Sequence, residues 1–437
     1  MSPGTRHVIV GSSAAGLSAA EAVRRADPDA DIMMVSEDTW PYSRTLLAPY
    51  YLGGYISRSA LRTRDRDFFS ENRIHTFFGQ RAEELDPRRQ EIALSGGRRL
   101  AYDRLLVATG ALPALPDVPG SHLAGIHGLR SLREARRIRE ELGAARRIVV
   151  LGGGLLSLEL CLVFRDMDIE QITVLESESH LLPDKLDPEA AGMIERDVES
   201  IGPIHVMKGQ RIQAALGTER VESVRLTNGQ TLGCDLLMVA TGVQPCDELV
   251  RAHLEPGHAG VRVDQRMRTR LPNVFAAGDV CESMDLTRDR TASNRNLFNA
   301  VVQGKIAGLN MAGIKRTYEG SLNVSMFRSM TTTGFSVGRV IADRPGDVQE
   351  IRQDRRRGVY RKLLLCRGRL VGAVGIGDDR FAGTLLSLIR KRATISELPK
   401  SFIDQPRFGR LIAATRRMQQ GFAQPGTATR PLAVHPG

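Results

Sequence analysis

Short apolar runs alternate with helical patterns along this chain, and the alternation starts at once. His7-Val8-Ile9-Val10 reads as a strand. It enters a turn of small residues, Gly11-Ser12-Ser13-Ala14-Ala15-Gly16, and then an alanine-rich helix over residues 17–25. A second strand over residues 32–35 ends at Ser36-Glu37. Strand, small-residue turn, helix and strand, with an acid roughly twenty residues on, is the pattern of a dinucleotide-binding unit. Gly11 permits the tight turn, and Ser13, Ala14 and Ala15 are small enough for backbone to approach a pyrophosphate. Gly16 lets the helix lie close on the strand, and Glu37 would accept hydrogen bonds from a ribose diol.

The pattern recurs. A strand over residues 147–151 leads into Gly152-Gly153-Gly154-Leu155-Leu156-Ser157, a helix over residues 158–164 and a strand over residues 172–175 that ends at Glu176. Ser157 stands where the third glycine would be. Each copy is followed by a matching segment: Asp103-Arg104-Leu105-Leu106-Val107-Ala108-Thr109-Gly110 against Asp235-Leu236-Leu237-Met238-Val239-Ala240-Thr241-Gly242. Turn residues before each, Ser95-Gly96-Gly97 and Asn228-Gly229, predict a small β-excursion. Two copies of one unit imply two nucleotides. Further on, alternation over residues 361–374 predicts strands, with a helix over residues 384–392. The stretch from 416 to 437, rich in Pro, Gly, Thr and Ala towards its end, reads as a flexible tail.

Composition narrows the picture. The chain has 437 residues, 42% hydrophobic and 25% charged, enough for two or three globular domains. No run of about 18 apolar residues exists, so no membrane span is expected. The first strand begins too early for a signal peptide, and a cytoplasmic protein is expected. Five scattered cysteines without a C-x-x-C pair argue against a disulfide framework and against a metal site. The net charge of +11 suits an acidic partner, although a solvated arginine-rich surface is the plainer reading. Arg352, Arg355, Arg356 and Arg357 form the densest run. With aromatic residues at 5%, no base-stacking platform and no nucleic-acid partner are expected.

The two fingerprints, joined by Asn273-Val274-Phe275-Ala276-Ala277-Gly278-Asp279-Val280, resemble the flavoprotein family related to glutathione reductase, which binds two dinucleotides. The resemblance implies an α/β fold: two Rossmann-type units, for FAD and NAD, and a small α+β C-terminal domain. It places FAD on residues 1–112 plus 243–317, with Gly278 and Asp279 beside its ribityl chain. It places NADH on residues 113–242 and an interface domain on residues 318–415. Tyr42-Ser43-Arg44-Thr45-Leu46-Leu47 and the stretch from Asn299 to Gly313 resemble the flavin module of nitrite reductases and NADH:rubredoxin reductases. Arg44 would there neutralise the FAD pyrophosphate, and Glu159 would orient the nicotinamide. Disulfide-reducing and peroxide-reducing branches need a cysteine near Ser43 or shortly after the first unit, and none precedes Cys161. The lysine usual in oxygenase-coupled ferredoxin reductases is missing from Leu47-Ala48-Pro49. The expected function is transfer from NADH through FAD to an acidic iron–sulfur carrier. Direct reduction of a quinone, peroxide or disulfide, and a non-catalytic redox-sensing scaffold, stay open as alternatives, as do a homodimer and a place in a larger complex.

Overall fold

The computed structural model describes residues 4–394 apart from 201, 255, 256, 258 and 355. The first copy comprises β1 (Arg6–Val10), α1 (Ala14–Ala26), β2 (Asp31–Ser36), β3 (Ile74–Phe78) and β4 (Arg104–Val107). Its sheet is wholly parallel in the order Val274–Ala276, β4, β1, β2, β3. The second copy comprises β5 (Arg147–Leu151), α2 (Leu155–Phe164), β6 (Gln171–Glu176), β7 (Ile204–Lys208) and β8 (Leu236–Val239). Its order is β7, β6, β5, β8, Ile126–Gly128, again parallel. Strands buried on both faces explain the unbroken apolar runs.

The duplication extends to atoms. The N–H groups of Arg6 and Arg147 each donate to the aspartate before the fourth strand, Asp103 and Asp235, both at 2.8 Å. Each guanidinium pairs with the same aspartate, at 3.1 and 2.8 Å. Both β-excursions are three-stranded antiparallel sheets: Ala82–Asp86, Glu91–Leu94 and Arg99–Ala101, and Ile212–Leu216, Ser223–Leu226 and Thr231–Gly233. The strands Ala111–Pro113 and Val243–Pro245 pair antiparallel where the chain passes between units. Both helices start earlier than their apolar pattern, at Ala14 and Leu155, because the last residues of each turn are themselves helical.

The C-terminal sheet is antiparallel in the order Val324–Arg328, Thr333–Gly338, Arg369–Ile376, Val359–Cys366, Asp347–Asp354. The alternation read over residues 361–374 is a hairpin turning at Arg367-Gly368, both at positive φ. Leu363 and Leu365 face helix Ala382–Arg390, as their pattern requires. Tyr360, Lys362 and Leu364 on the opposite face are buried as well. That face rests on the second nucleotide unit: the Tyr360 hydroxyl donates to Asp187 at 2.9 Å, and Lys362 pairs with it at 3.1 Å. The tail predicted from 416 onward lies outside the described residues.

Candidate nucleotide sites

A cavity of about 1070 Å³ opens at the C-terminal edge of the first sheet. Its wall gathers Gly11, Ser13, Ala14, Ala15, Glu37, Arg44, Thr109, Gly278 and Asp279, residues spread over most of the first 280 positions. Gly16 lies beneath it. A Cβ there would fall 1.9 Å from the Gly11 carbonyl, so only glycine lets α1 sit this close to β1. Ser13 occupies the N-cap of α1 without a side-chain cap, and no acid stands in the first turn. Helices starting after Ser131, Asp187 and Asn296 are instead capped by those side chains. The bare N–H groups of α1 are therefore left for an anion. Gly278 meets α1 closely: an added Cβ would lie 3.1 Å from that of Ala15. Cavity size, bare helix end and small-residue floor fit an extended dinucleotide.

Arg44, on the cavity wall, is already engaged within the protein. Its guanidinium donates to Asp38 at 2.8 Å, to the Arg130 carbonyl at 2.8 Å and to the Tyr42 hydroxyl at 3.1 Å. Its charge is thus already balanced by Asp38, one residue past Glu37. Glu37 itself is exposed, with Arg81 at 3.4 Å. Thr109 donates to the Cys246 carbonyl at 2.6 Å, tying the two crossover strands together. Arg130 went unread in the sequence. Its guanidinium donates to Asp279 and, at 3.1 Å, to the Ala111 carbonyl. Arg295 holds the Asp279 carbonyl at 3.0 Å. A local signal existed: Ser131 and Glu134 form a capping box, and the Arg130 N–H donates to Glu134 at 2.8 Å. The pairing with Asp279 is tertiary and left no mark nearby.

The second turn repeats the design away from this cavity. Gly152 adopts φ +101°, and a Cβ there would meet the Ala240 carbonyl at 2.6 Å. Gly154 is the N-cap of α2, again without a side-chain cap, and Leu155 opens the helix. Ser157 donates its hydroxyl to the Gly152 carbonyl, so the departure from glycine adds a bond across the turn. Glu176 is buried and accepts from the N–H groups of Gly153 at 2.6 Å and Glu178 at 2.8 Å. Gly242, at φ +109°, has open space above it. Glu159 is the only charged residue of α2. Burial pushes its carboxyl up to about 7, and among the described residues it makes no ion pair.

Two parallel sheets, each feeding a helix left bare for an anion, define a protein of two dinucleotides. Residues 5–296 match the pyridine nucleotide-disulphide oxidoreductase family, and the chain belongs to it. It is an FAD-dependent NAD(P)H oxidoreductase, with FAD and NADH as its cofactors. Residues 329–393 match the rubredoxin NAD+ reductase C-terminal domain. The chain is 33% identical over 410 residues to the NADH-dependent phenylglyoxylate dehydrogenase subunit epsilon of Aromatoleum evansii, covering 92% of this chain and 95% of that one. It is 30% identical over 304 residues to the ferredoxin–NAD(+) reductase component of the biphenyl dioxygenase system of Paraburkholderia xenovorans, 69% of this chain and 74% of that one. Among solved structures, a ferredoxin reductase from Rhodopseudomonas palustris superposes with a TM-score of 0.79 at 26% identity, over 90% of this chain and 98% of that one. No helix among the described residues is long and apolar enough to cross a membrane.

Proposed function

We propose that this chain takes reducing equivalents from NADH and passes electrons to an iron–sulfur protein. The state of its thiols carries the reading. Cys161, Cys234 and Cys281 are buried, and burial pushes each thiol up to about 12. Cys246 lines the cavity, and there too burial pushes the thiol up, to about 11. A thiol so far above neutral pH is a poor nucleophile. Ser43 and Thr45 occupy the wall where a thiol relay would need a cysteine. When bound, FAD supplies the conversion between a two-electron donor and one-electron acceptors.

The protein's residues bind and orient. In this reading residues 1–112 with 243–317 hold FAD, residues 113–242 hold NADH, and the C-terminal domain, described to residue 394, closes over them. The α1 N–H groups take the pyrophosphate, and Asp279, steered by Arg130, accepts from the ribityl chain. The turn from Gly152 to Leu155 takes the NADH pyrophosphate. Glu176 accepts from the adenine ribose and repels a 2′-phosphate, which favours NADH over NADPH. Glu159 orients the nicotinamide with a carboxyl that keeps its proton through part of the neutral range. The ferredoxin-reducing relatives support an iron–sulfur acceptor, and the end-to-end match to a dehydrogenase subunit supports such a partner held within a complex.

An anaerobic panel of rubredoxin, a [2Fe–2S] ferredoxin, menadione and peroxide, each with NADH and NADPH, tests this. The iron–sulfur proteins with NADH should lead by about tenfold or more in kcat/KM. A faster quinone or peroxide would make the chain a small-substrate reductase, and no turnover would make it a scaffold.

A further inference from the structure

At one rim of the cavity two elements meet, the segment of residues 47–62 and the helix Leu132–Leu142. Leu47, Ala48, Tyr51 and Leu52 share a buried core with Leu132, Ala135 and Ile138. Their outer surface carries Arg58, Arg62, Arg133, Arg136, Arg137 and Arg139, all exposed. Elsewhere arginines commonly face an acid, as in Arg44–Asp38, Arg147–Asp235 and Arg220–Glu141. Among the described residues, none of these rim arginines forms an ion pair. The acids of the helix pair with none of them among the described residues: Glu134 is used as a cap, Glu141 holds His127 and Arg220, and Glu140, four residues after Arg136, forms no ion pair.

Two further observations separate this rim from an ordinary solvated face. Arg133, Arg136 and Arg137 stand three and four residues apart, a spacing at which like charges oppose the helix. Stability alone does not select it. The guanidinium groups are also partly pre-set. Arg58 and Arg62 lie over the Trp40 ring at 5.6 and 5.2 Å, and Arg139 lies over Tyr51 at 5.3 Å. Tyr50 and Tyr55 alongside are 47% and 60% exposed. Arginine and tyrosine held in place on an open surface are the residue types on which protein interfaces concentrate their binding.

We infer that this rim docks the acidic face of the protein electron acceptor. The inference rests on the proposed transfer to an iron–sulfur protein and names where that protein sits. Arg58, Arg133, Arg136 and Arg137 line the same cavity as Asp279, so a partner held here sits over the flavin-binding cleft. Of the run read in the sequence, Arg356 and Arg357 make the weaker surface. Asp354 already accepts from the N–H groups of Arg356 and Arg357 and faces the Arg357 guanidinium at 3.7 Å. Arg355 and the side chain of Arg352 lie outside the described residues.

The test uses the FAD-loaded full chain, NADH and an acidic [2Fe–2S] ferredoxin as probe, with ferricyanide as an acceptor that needs no docking. R62E/R139E, two rim positions outside the cavity lining, should raise the ferredoxin KM about tenfold at low salt and flatten its salt dependence. FAD content and the ferricyanide rate should stay unchanged. Should charge reversal impair folding, R62Q/R139Q should give a smaller rise in the same direction. Ferredoxin reduction indifferent to these changes, or sensitive instead to R352E/R356E/R357E, would overturn the docking site and leave the acceptor class standing. A wild-type chain that reduces ferricyanide but no iron–sulfur protein would overturn both.

Discussion

Glycine, aspartate and glutamate at the two turns were legible because each carries a backbone or charge requirement that few other residues meet. Arg130 was not, because it reaches Asp279 across 149 positions of sequence. His7 was hidden for a different reason: it reads as part of an apolar strand, and it is buried like one. The side chain is fully buried and neither ring nitrogen has a hydrogen-bond partner. Burial pushes its pKa from 6.5 down to about 4. The folded chain therefore keeps a neutral imidazole while the unfolded chain takes up a proton below pH 6.5. Stability is complete above that pH and falls as pH drops towards 4, by about 2 kcal/mol between pH 7.5 and 5. His7→Leu should remove that share of the loss, read from urea midpoints at the two pH values. The same pH dependence in both proteins would mean that the imidazole is hydrated or bonded in solution.

At the scale of elements, strand and helix order followed from hydrophobic period, and the β-excursions followed from their turn residues. What the period could not give was which elements touch. Helix Leu297–Met311 lies on α1 through Gly304 and Gly308, whose added Cβ atoms would fall 2.1 Å from the Ala15 carbonyl and 2.4 Å from that of Ala19. A glycine inside a helix ordinarily weakens it, so these two mark a close crossing. Ala15 lines the cavity, and the crossing therefore holds its floor. Gly304→Ala should push the helices apart, cost about 1–3 kcal/mol and loosen FAD. Gly383→Ala, in a helix with open space at that position, should instead raise stability slightly. Thermal midpoints and FAD retained after gel filtration check the pair. Equal retention in both variants would separate the crossing from the cofactor site.

The duplicated architecture of the whole molecule was readable, since both copies repeat the same strand, turn and acid. The burial of both faces of the C-terminal sheet was not, because one face is covered by a distant unit through Asp187 and by apolar residues from several elements. The central claim at this scale is that electrons pass from NADH to an outside acceptor with no thiol relay. Anaerobic titration of the FAD-loaded protein with NADH measures this most directly. About one equivalent should bleach the flavin band near roughly 450 nm completely, because the flavin alone stores the electrons. Uptake of a second equivalent before full bleaching, with a long-wavelength thiolate–flavin band, would contradict the account.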